Sequence, residues 1–527
     1  MTPSLIRGRP RRARSHISVR VAHTVLSGAV GVVWLVLPGM TIGAEDPVPA
    51  ARAEPVAGTA APPEQDETSA VDLVLPLAAV AAAGVLATYT YVRRSRRART
   101  RTTPGVVSVR PPVPTPDDFE RQTRTALVVA DDSVRTSREE LAFAEARFGA
   151  EAVEPFSHAV RAAQTELSAA FAIRRRYEQG VPKDDAARRQ ALVGVIGRCA
   201  EAGRRLDARA EAFDQLRALE RGVGEALEIA EGRFRELAGR TGAAEATLAG
   251  LGDQYAPSAS APVLGYGEQA KDRLVFATSE LNRARRTADS GAVEQAARPL
   301  RAAEGAIAQA DVFVSGVERL SAELEQAANL VPAALTGAEA ELASARAWLR
   351  DGHDVPVPAG ELRARIGHAD VVLAAVREEL TGGPYDPLDA LRRIARAVAP
   401  LGVRRAGVVP LAGWLAARSA VAAVTDFVNT HRGAVGAEAR TLLAEAVRLL
   451  ATGDDTATAD ELARRARESA ERDVRVHGNP YDGPGDHVSG LAGAVLGGIL
   501  LAEEPDGGPP VSFGGPATRG RRRLPEG

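Results

Sequence analysis

The residue types that do chemistry are few in this chain, and their spacing is wrong for most of it. One cysteine and eight histidines stand among 527 residues. Cys199 lies in a stretch of helical pattern from Leu192 to Arg205 with no histidine nearby in sequence, which predicts a buried, inert thiol rather than a nucleophile. A single cysteine also excludes an internal disulfide and a cysteine-cluster metal site. The histidines His16, His23, His158, His353, His368, His431, His477 and His487 are never four residues apart, so no helix can present the paired imidazoles of a zinc protease. The nearest approach to a ligand set is His477 and His487 flanking Asp482 and Asp486 in a Gly/Pro/Asp loop, and no metal is expected there. Gly222-Val-Gly224 and Gly265-Tyr-Gly267 lack the third glycine and the preceding strand of a dinucleotide loop, and no Walker A pattern occurs.

Charged clusters read the same way. Asp117/Asp118, Asp184/Asp185 and Asp454/Asp455 stand where helical patterns begin, and capping explains them. Asp131/Asp132 falls inside a helix and is expected to face solvent. Arg174-Arg175-Arg176 and Arg404-Arg405 have no interleaved aromatic residues beyond Tyr177, so solvated faces or subunit contacts are expected rather than nucleic-acid binding. No catalytic, cofactor-binding or metal-binding residue is assigned, and no cofactor is expected.

The elements that would hold any site are helices. Aromatic residues make up 4% of the chain, which leaves Ala, Leu and Val to build the core, and 66 basic against 68 acidic residues give no global field. Leu127, Val134, Leu141 and Phe148 recur every seventh residue, a heptad-like stripe, and Gly149 to Pro155 starts a new helix. Gly180 and Pro182 stop that helix. Leu192, Ile196, Cys199, Leu206, Phe213, Leu216 and Leu219 form the inner face of the next, and Tyr255 to Pro262 breaks the pattern again. Helical hairpins are expected to turn at Asp289-Ser290-Gly291, Gly382-Gly383-Pro384 and Gly453-Asp454-Asp455, with further breaks at Arg350 to Gly360 and Val403 to Pro410. Their unequal separations exclude a fixed-period solenoid.

Two apolar stretches precede this region. Leu73 to Val92 is uncharged, has about the 20 residues that span a bilayer core, ends at Tyr89 and Tyr91, and runs into Arg93, Arg94, Arg96, Arg97, Arg99 and Arg101. The positive-inside rule puts the remainder of the chain, beyond Val92, in the cytoplasm. Arg7 to Arg20 and the apolar Val25 to Met40 read either as a secretory signal cleaved near Ile42-Gly43-Ala44 or as an uncleaved first membrane helix. The expected organisation is therefore a signal peptide or first membrane helix (1–44), a disordered extracytoplasmic linker (45–70), a transmembrane helix (71–92), a basic Pro-rich juxtamembrane linker (93–116), a cytoplasmic helical coiled-coil region (117–476), and a Gly/Pro-rich tail (477–527). That tail carries a short apolar segment, Val488 to Leu501, and a basic end at Arg519 to Arg523. The fold class is all-α: a transmembrane helix followed by an elongated antiparallel helical bundle or coiled-coil array, with disordered linkers and tail.

Several stretches carry a family resemblance: Glu139 to Gly149 (EELAFAEARFG), Cys199 to Phe213, Tyr255 to Ser258, Gln269 to Thr278, Asp426 to Arg440 (DFVNTHRGAVGAEAR), and the tail residues Leu496 to Leu501, Ser512 to Gly515 and Thr518 to Arg521. Together they resemble the helical C-terminal region of bacterial TPM domain-containing membrane proteins. Members of that family place a globular TPM domain, linked in some to acid-phosphatase-like activity, between signal and membrane helix. Only Glu45 to Ala70 occupies that place here, so the resemblance implies the cytoplasmic helical module without the outer domain, and no family active-site residue carries over. The expected function is a non-enzymatic membrane-anchored scaffold whose partners are itself or another membrane-associated protein, with the bilayer engaged through 73–92. The alternative is a regulatory or adaptor subunit of a separate TPM-domain, phosphatase-like membrane protein.

Overall fold

A computed structural model describes residues 115–351, 358–402, 407–453, 455–477 and 513–522. The expected signal or first membrane helix, the outer linker, the transmembrane helix 71–92, most of the juxtamembrane linker, Arg404-Arg405, His487 and the apolar segment 488–501 lie outside the described residues. The described residues are all-α. They form α1 (Pro116–Glu178), α2 (Asp185–Arg217), α3 (Leu219–Gln254), the short α4 (Pro257–Ser260), α5 (Tyr266–Asp289), α6 (Val293–Asp351), α7 (Ala359–Gly382), α8 (Pro387–Val398), α9 (Val408–Thr430), α10 (Ala437–Thr452), α11 (Thr456–Val476) and α12 (Pro516–Arg522).

Seven-residue periodicity runs through nearly every long helix. In α6, Ala296, Ala303, Ala310, Val317, Leu324, Val331, Ala338 and Ala345 form one unbroken series, each buried. Val223, Ala230, Leu237, Ala244 and Leu251 do the same in α3, Leu192, Cys199, Leu206 and Phe213 in α2, and Ala270, Ala277 and Ala284 in α5. A strict heptad keeps one seam facing its neighbours, the geometry of coiled-coil packing. Alanine at so many seam positions lets backbones approach closely. At Gly316 even a methyl group would come within 3.1 Å of the Tyr266 ring.

Side-chain pairings between helices and helix arms reveal their directions. Glu120 pairs with Arg174 at 2.7 Å and Arg138 with Gln164, so the arms of α1 on either side of Gly149 run antiparallel as a hairpin. Gly149 makes that possible, with φ 82° and ψ 165°, a region closed to side-chain-bearing residues. Arg319 pairs with Asp426, and Glu323 with Arg418 at 3.3 Å, so α6 and α9 are antiparallel. The hairpins α5–α6, α7–α8 and α10–α11 turn where the sequence places them. Asp184 and Asp455 cap α2 and α11 by accepting the N–H of Ala187 and Thr458. At α1 the cap is instead Thr115. Its hydroxyl accepts the Asp118 N–H while the Asp118 carboxylate accepts the Thr115 N–H, a capping box with Pro116 at the first helical position.

The core has three parts. One is built on α3, α5, α6, α7 and α8 with the start of α9, another on α1 and α2, and a third on α9, α10 and α11. Within the tail, expected as a Gly/Pro-rich segment with a solvated or membrane-facing basic end, one stretch is anchored in protein: Phe513 is fully buried in the α1–α2 core.

Candidate functional site

A group of buried ionisable side chains lies where the α9–α10 turn meets the first arm of α1. Asp131, expected to face solvent, is buried, because it stands four residues after Leu127 and three before Val134, on their face of the helix. Arg440 answers it. Its Nη1 donates to Asp131 Oδ2 at 2.8 Å and Asp132 Oδ1 at 2.6 Å, its Nε to the Val435 carbonyl at 3.0 Å, and its Nη2 to the Arg432 carbonyl. One guanidinium thus closes the turn on itself and ties it to α1. Arg432 donates to both oxygens of Glu139 at 2.8 Å, Arg135 bridges Asp131 and Asn429, and the Gly436 N–H donates to Asp473 of α11 at 2.9 Å. Burial alone would raise the Asp131 pKa, but the guanidiniums of Arg135 and Arg440 outweigh it and hold the carboxyl below its ordinary range.

His431 sits inside this turn, stacked on Phe427 with ring centroids 4.3 Å apart. Its Nδ1 lies 3.1 Å from the Phe427 carbonyl and 3.0 Å from the Thr430 hydroxyl. A carbonyl only accepts, so Nδ1 carries the proton. Burial, reinforced by the charges of Arg467 and Arg273, pulls the imidazole down to about 4, so it is neutral at neutral pH.

A second cluster joins α1, α2 and α6. Arg217 is buried at the end of α2, with Nη2 2.6 Å from Glu304 Oε2 and Nε 3.7 Å from Glu140 Oε2. Arg147 donates to the Arg217 carbonyl at 3.1 Å and pairs with Glu225 at 2.6 Å. Two carboxylates share one guanidinium, and burial pushes Glu304 up to about 6 against the pull of Arg217.

In both clusters a buried guanidinium links one helix to another: Arg440 and Arg432 tie the α9–α10 turn to α1, and Arg217 ties α2 to α1 and α6. The remaining residues singled out in the sequence are dispersed. Cys199 is buried, and desolvation pushes its thiol up to about 12, as an inert core thiol requires. Gly222 faces the Arg147 guanidinium and Gly267 faces Glu245. His158 and His368 are exposed on separate helices, and among the described residues no group of three His, Cys, Asp or Glu side chains could hold a metal. Arg174, expected on a solvated face, is buried between Glu120 and Glu178. It continues the heptad series Val153, Val160, Leu167, and that break in apolar register is the signal by which the sequence could have exposed it. Glu304, between Leu300 and Ile307 on one face, carries the same signal.

A cavity of about 700 Å³ opens between α8, the start of α9 and the α10–α11 turn, walled by Trp414, Leu411 and Val409. Its cations are already engaged: Arg392 Nε lies 3.0 Å from both oxygens of Asp460, and Arg396 reaches Asp460 at 2.8 Å and Glu461 at 3.2 Å.

Four of the segments that carry the family resemblance meet at α1, while Tyr255 to Ser258 and Gln269 to Thr278 belong to the core built on α3, α5 and α6. Glu139, Glu140 and Arg147 from 139–149, Phe213 from 199–213, Asn429, Arg432 and Arg440 from 426–440, and Phe513 from 512–515 all pack on or pair across α1. No family model matches the chain, and no solved structure matches it. The chain is similar to two curated proteins of Mycobacterium tuberculosis, UPF0603 protein MT2410 of strain CDC 1551 and UPF0603 protein Rv2345 of strain H37Rv. Each is 31% identical over 427 residues, a match that takes in 74% of this chain and 64% of the relative's length.

Proposed function

We propose that the chain is a non-enzymatic, membrane-anchored helical scaffold that acts through self-association or by binding other membrane-associated proteins. The observation that carries this reading is the destination of the buried charge. Arg440, Arg432, Arg217 and Arg174 each brace one helix or helix arm against another, and the buried Asp460 on the cavity wall is itself taken up by Arg392 and Arg396, whereas catalytic groups would converge on a cavity with free polar atoms. Uninterrupted heptad seams in α3 and α6 support a body built to present long helical faces. Anchoring rests on the uncharged stretch 73–92 and the arginines after it, a pattern that favours a bundle on the cytoplasmic side of the cell membrane. Crosslinking a C-terminally tagged chain in native membranes, followed by mass spectrometry, tests the reading. A ladder of self-crosslinked species or a defined protein partner is expected; recovery of uncrosslinked monomer alone would count against it.

The second reading, an adaptor for a separate TPM-domain protein, rests on the resembling segments whose residues meet at α1. Co-purification of a TPM-domain protein in the same experiment favours it over self-assembly.

A further inference from the structure

The tail residues 513–519 occupy a cleft formed by α2 and both arms of α1, and they do so through groups that select a sequence. Phe513 is fully buried, stacked on Phe213 with centroids 4.4 Å apart and planes at 21°, and edge-on to Phe156 at 5.9 Å. Behind it the backbone is read directly. The Gly514 N–H donates to the Ser137 hydroxyl at 3.2 Å, and the Gly515 and Thr518 N–H groups both donate to Asp207 Oδ1 at 2.9 Å. Arg519 reaches the Ser133 carbonyl at 3.3 Å. Both glycines are sterically required. A Cβ on Gly515 would stand 2.3 Å from the Gly203 carbonyl oxygen, and Gly514 has φ 137°. The receptor side is equally fitted, because a Cβ on Gly203 would stand 2.7 Å from Pro516 Cδ. The aromatic pocket fixes the side chain at one position, and the Asp207 carboxylate, by accepting two backbone N–H groups, fixes the register of the residues after it.

The cleft extends beyond what the tail fills. Next to Pro516 lies a cavity of about 640 Å³, open to solvent and walled on its apolar side by Ala126, Val129, Ile196 and Cys199. We propose that this cleft is a peptide-docking site for Phe-Gly-Gly-Pro segments, and that residues 513–519 of the chain are its built-in, displaceable ligand. The occupant is this Phe-Gly-Gly-Pro segment itself, supplied by the same chain or by a second copy of it. The inference is independent of the scaffold reading, since it concerns one cleft and its occupant.

Cys199, the one cysteine of the chain, reports on the cleft. In detergent-solubilised full-length protein, Phe513→Asp should leave helix content unchanged and raise the rate of Cys199 modification by an uncharged maleimide by roughly ten-fold or more, the signature of a local opening. Adding the synthetic peptide Ser-Phe-Gly-Gly-Pro-Ala-Thr-Arg, residues 512–519, should restore protection with a saturable dose dependence, and the same peptide with Asp for Phe should not. Unchanged Cys199 reactivity in the variant, or failure of the native peptide to restore protection at millimolar concentration, would overturn the proposal and leave the tail as a fixed strut. If Phe513→Asp lowers helix content, Gly515→Ala, which drives a methyl group into the Gly203 carbonyl, carries the same comparison with the same two outcomes.

Discussion

Arg440 illustrates what the buried residues of this protein do. Its guanidinium has carboxylates on one side and the carbonyls of its own turn on the other, so truncation leaves Asp131 and Asp132 short of a partner inside a helical joint. Arg440→Ala should cost about 3–5 kcal/mol in chemical denaturation. Arg121→Ala, which removes a mostly exposed partner of Asp118, should cost less than about 1 kcal/mol. Two groups bend the pH dependence in opposite senses. His431 has a folded pKa of about 4 against an ordinary 6.5, so the unfolded chain takes up the proton first, and stability is lost as pH falls from 6.5 towards 4. The loss is at most about 3 kcal/mol. Glu304 has a folded pKa of about 6 against 4.5, so its contribution is full below 4.5 and is lost as pH rises through 6, a swing of about 2 kcal/mol at most. Between pH 4.5 and 6 the slopes oppose. Denaturation midpoints across that range should show a flatter acid limb for His431→Gln and a steeper one for Glu304→Gln.

At the scale of the element, the heptad seams decide where helices lie and glycines decide where they turn. Gly149→Ala forces a side chain into a backbone region reserved for glycine and should destabilise the α1 hairpin by about 1–3 kcal/mol. Gly239, within α3 with open space around it, behaves oppositely, and Gly239→Ala should be stabilising by up to about 1 kcal/mol. Leu127 is fully buried at the start of its stripe, so Leu127→Asp places an unpaired carboxylate in an apolar seam and should impair folding or assembly. Wild-type melting temperature and oligomeric size in that variant would contradict the burial. Pro332 does not interrupt α6, which continues through it from Val293 to Asp351 because the seam on either side stays in register.

For the molecule as a whole, the same helical code serves core and membrane, and only partners separate the two. Among the described residues, α9 is long and apolar enough to cross a membrane by length and composition. Yet Arg418 and Asp426 on α9 are matched by Glu323 and Arg319 on α6, and Val409, Ala412, Leu415 and Ala416 pack inward, as suits a central helix of a bundle. The proposed membrane anchor is therefore 73–92 with its flanking arginines. In carbonate-washed membranes, replacing Ala79–Ala82 within the 73–92 stretch by alternating Asp and Lys should release the chain to the soluble fraction, whereas Val421→Asp on α9 should unfold it instead.

Periodicity and glycine and proline placement were enough to read an all-α fold of helical hairpins, the turns at 289–291, 382–384 and 453–455, and the buried Cys199, because each is a local property of spacing along one helix. The tertiary structure alone decided the rest. Register along one helix places Asp131 and Glu304 on a buried face, but their countercharges, and the burial of Glu140, Arg217 and Arg440, come from the helices opposite. Phe513 looks like part of a polar tail until Phe213, from a helix roughly three hundred residues earlier in sequence, forms its pocket. Pairing across that distance is set by which seams meet, and no window of sequence contains both partners.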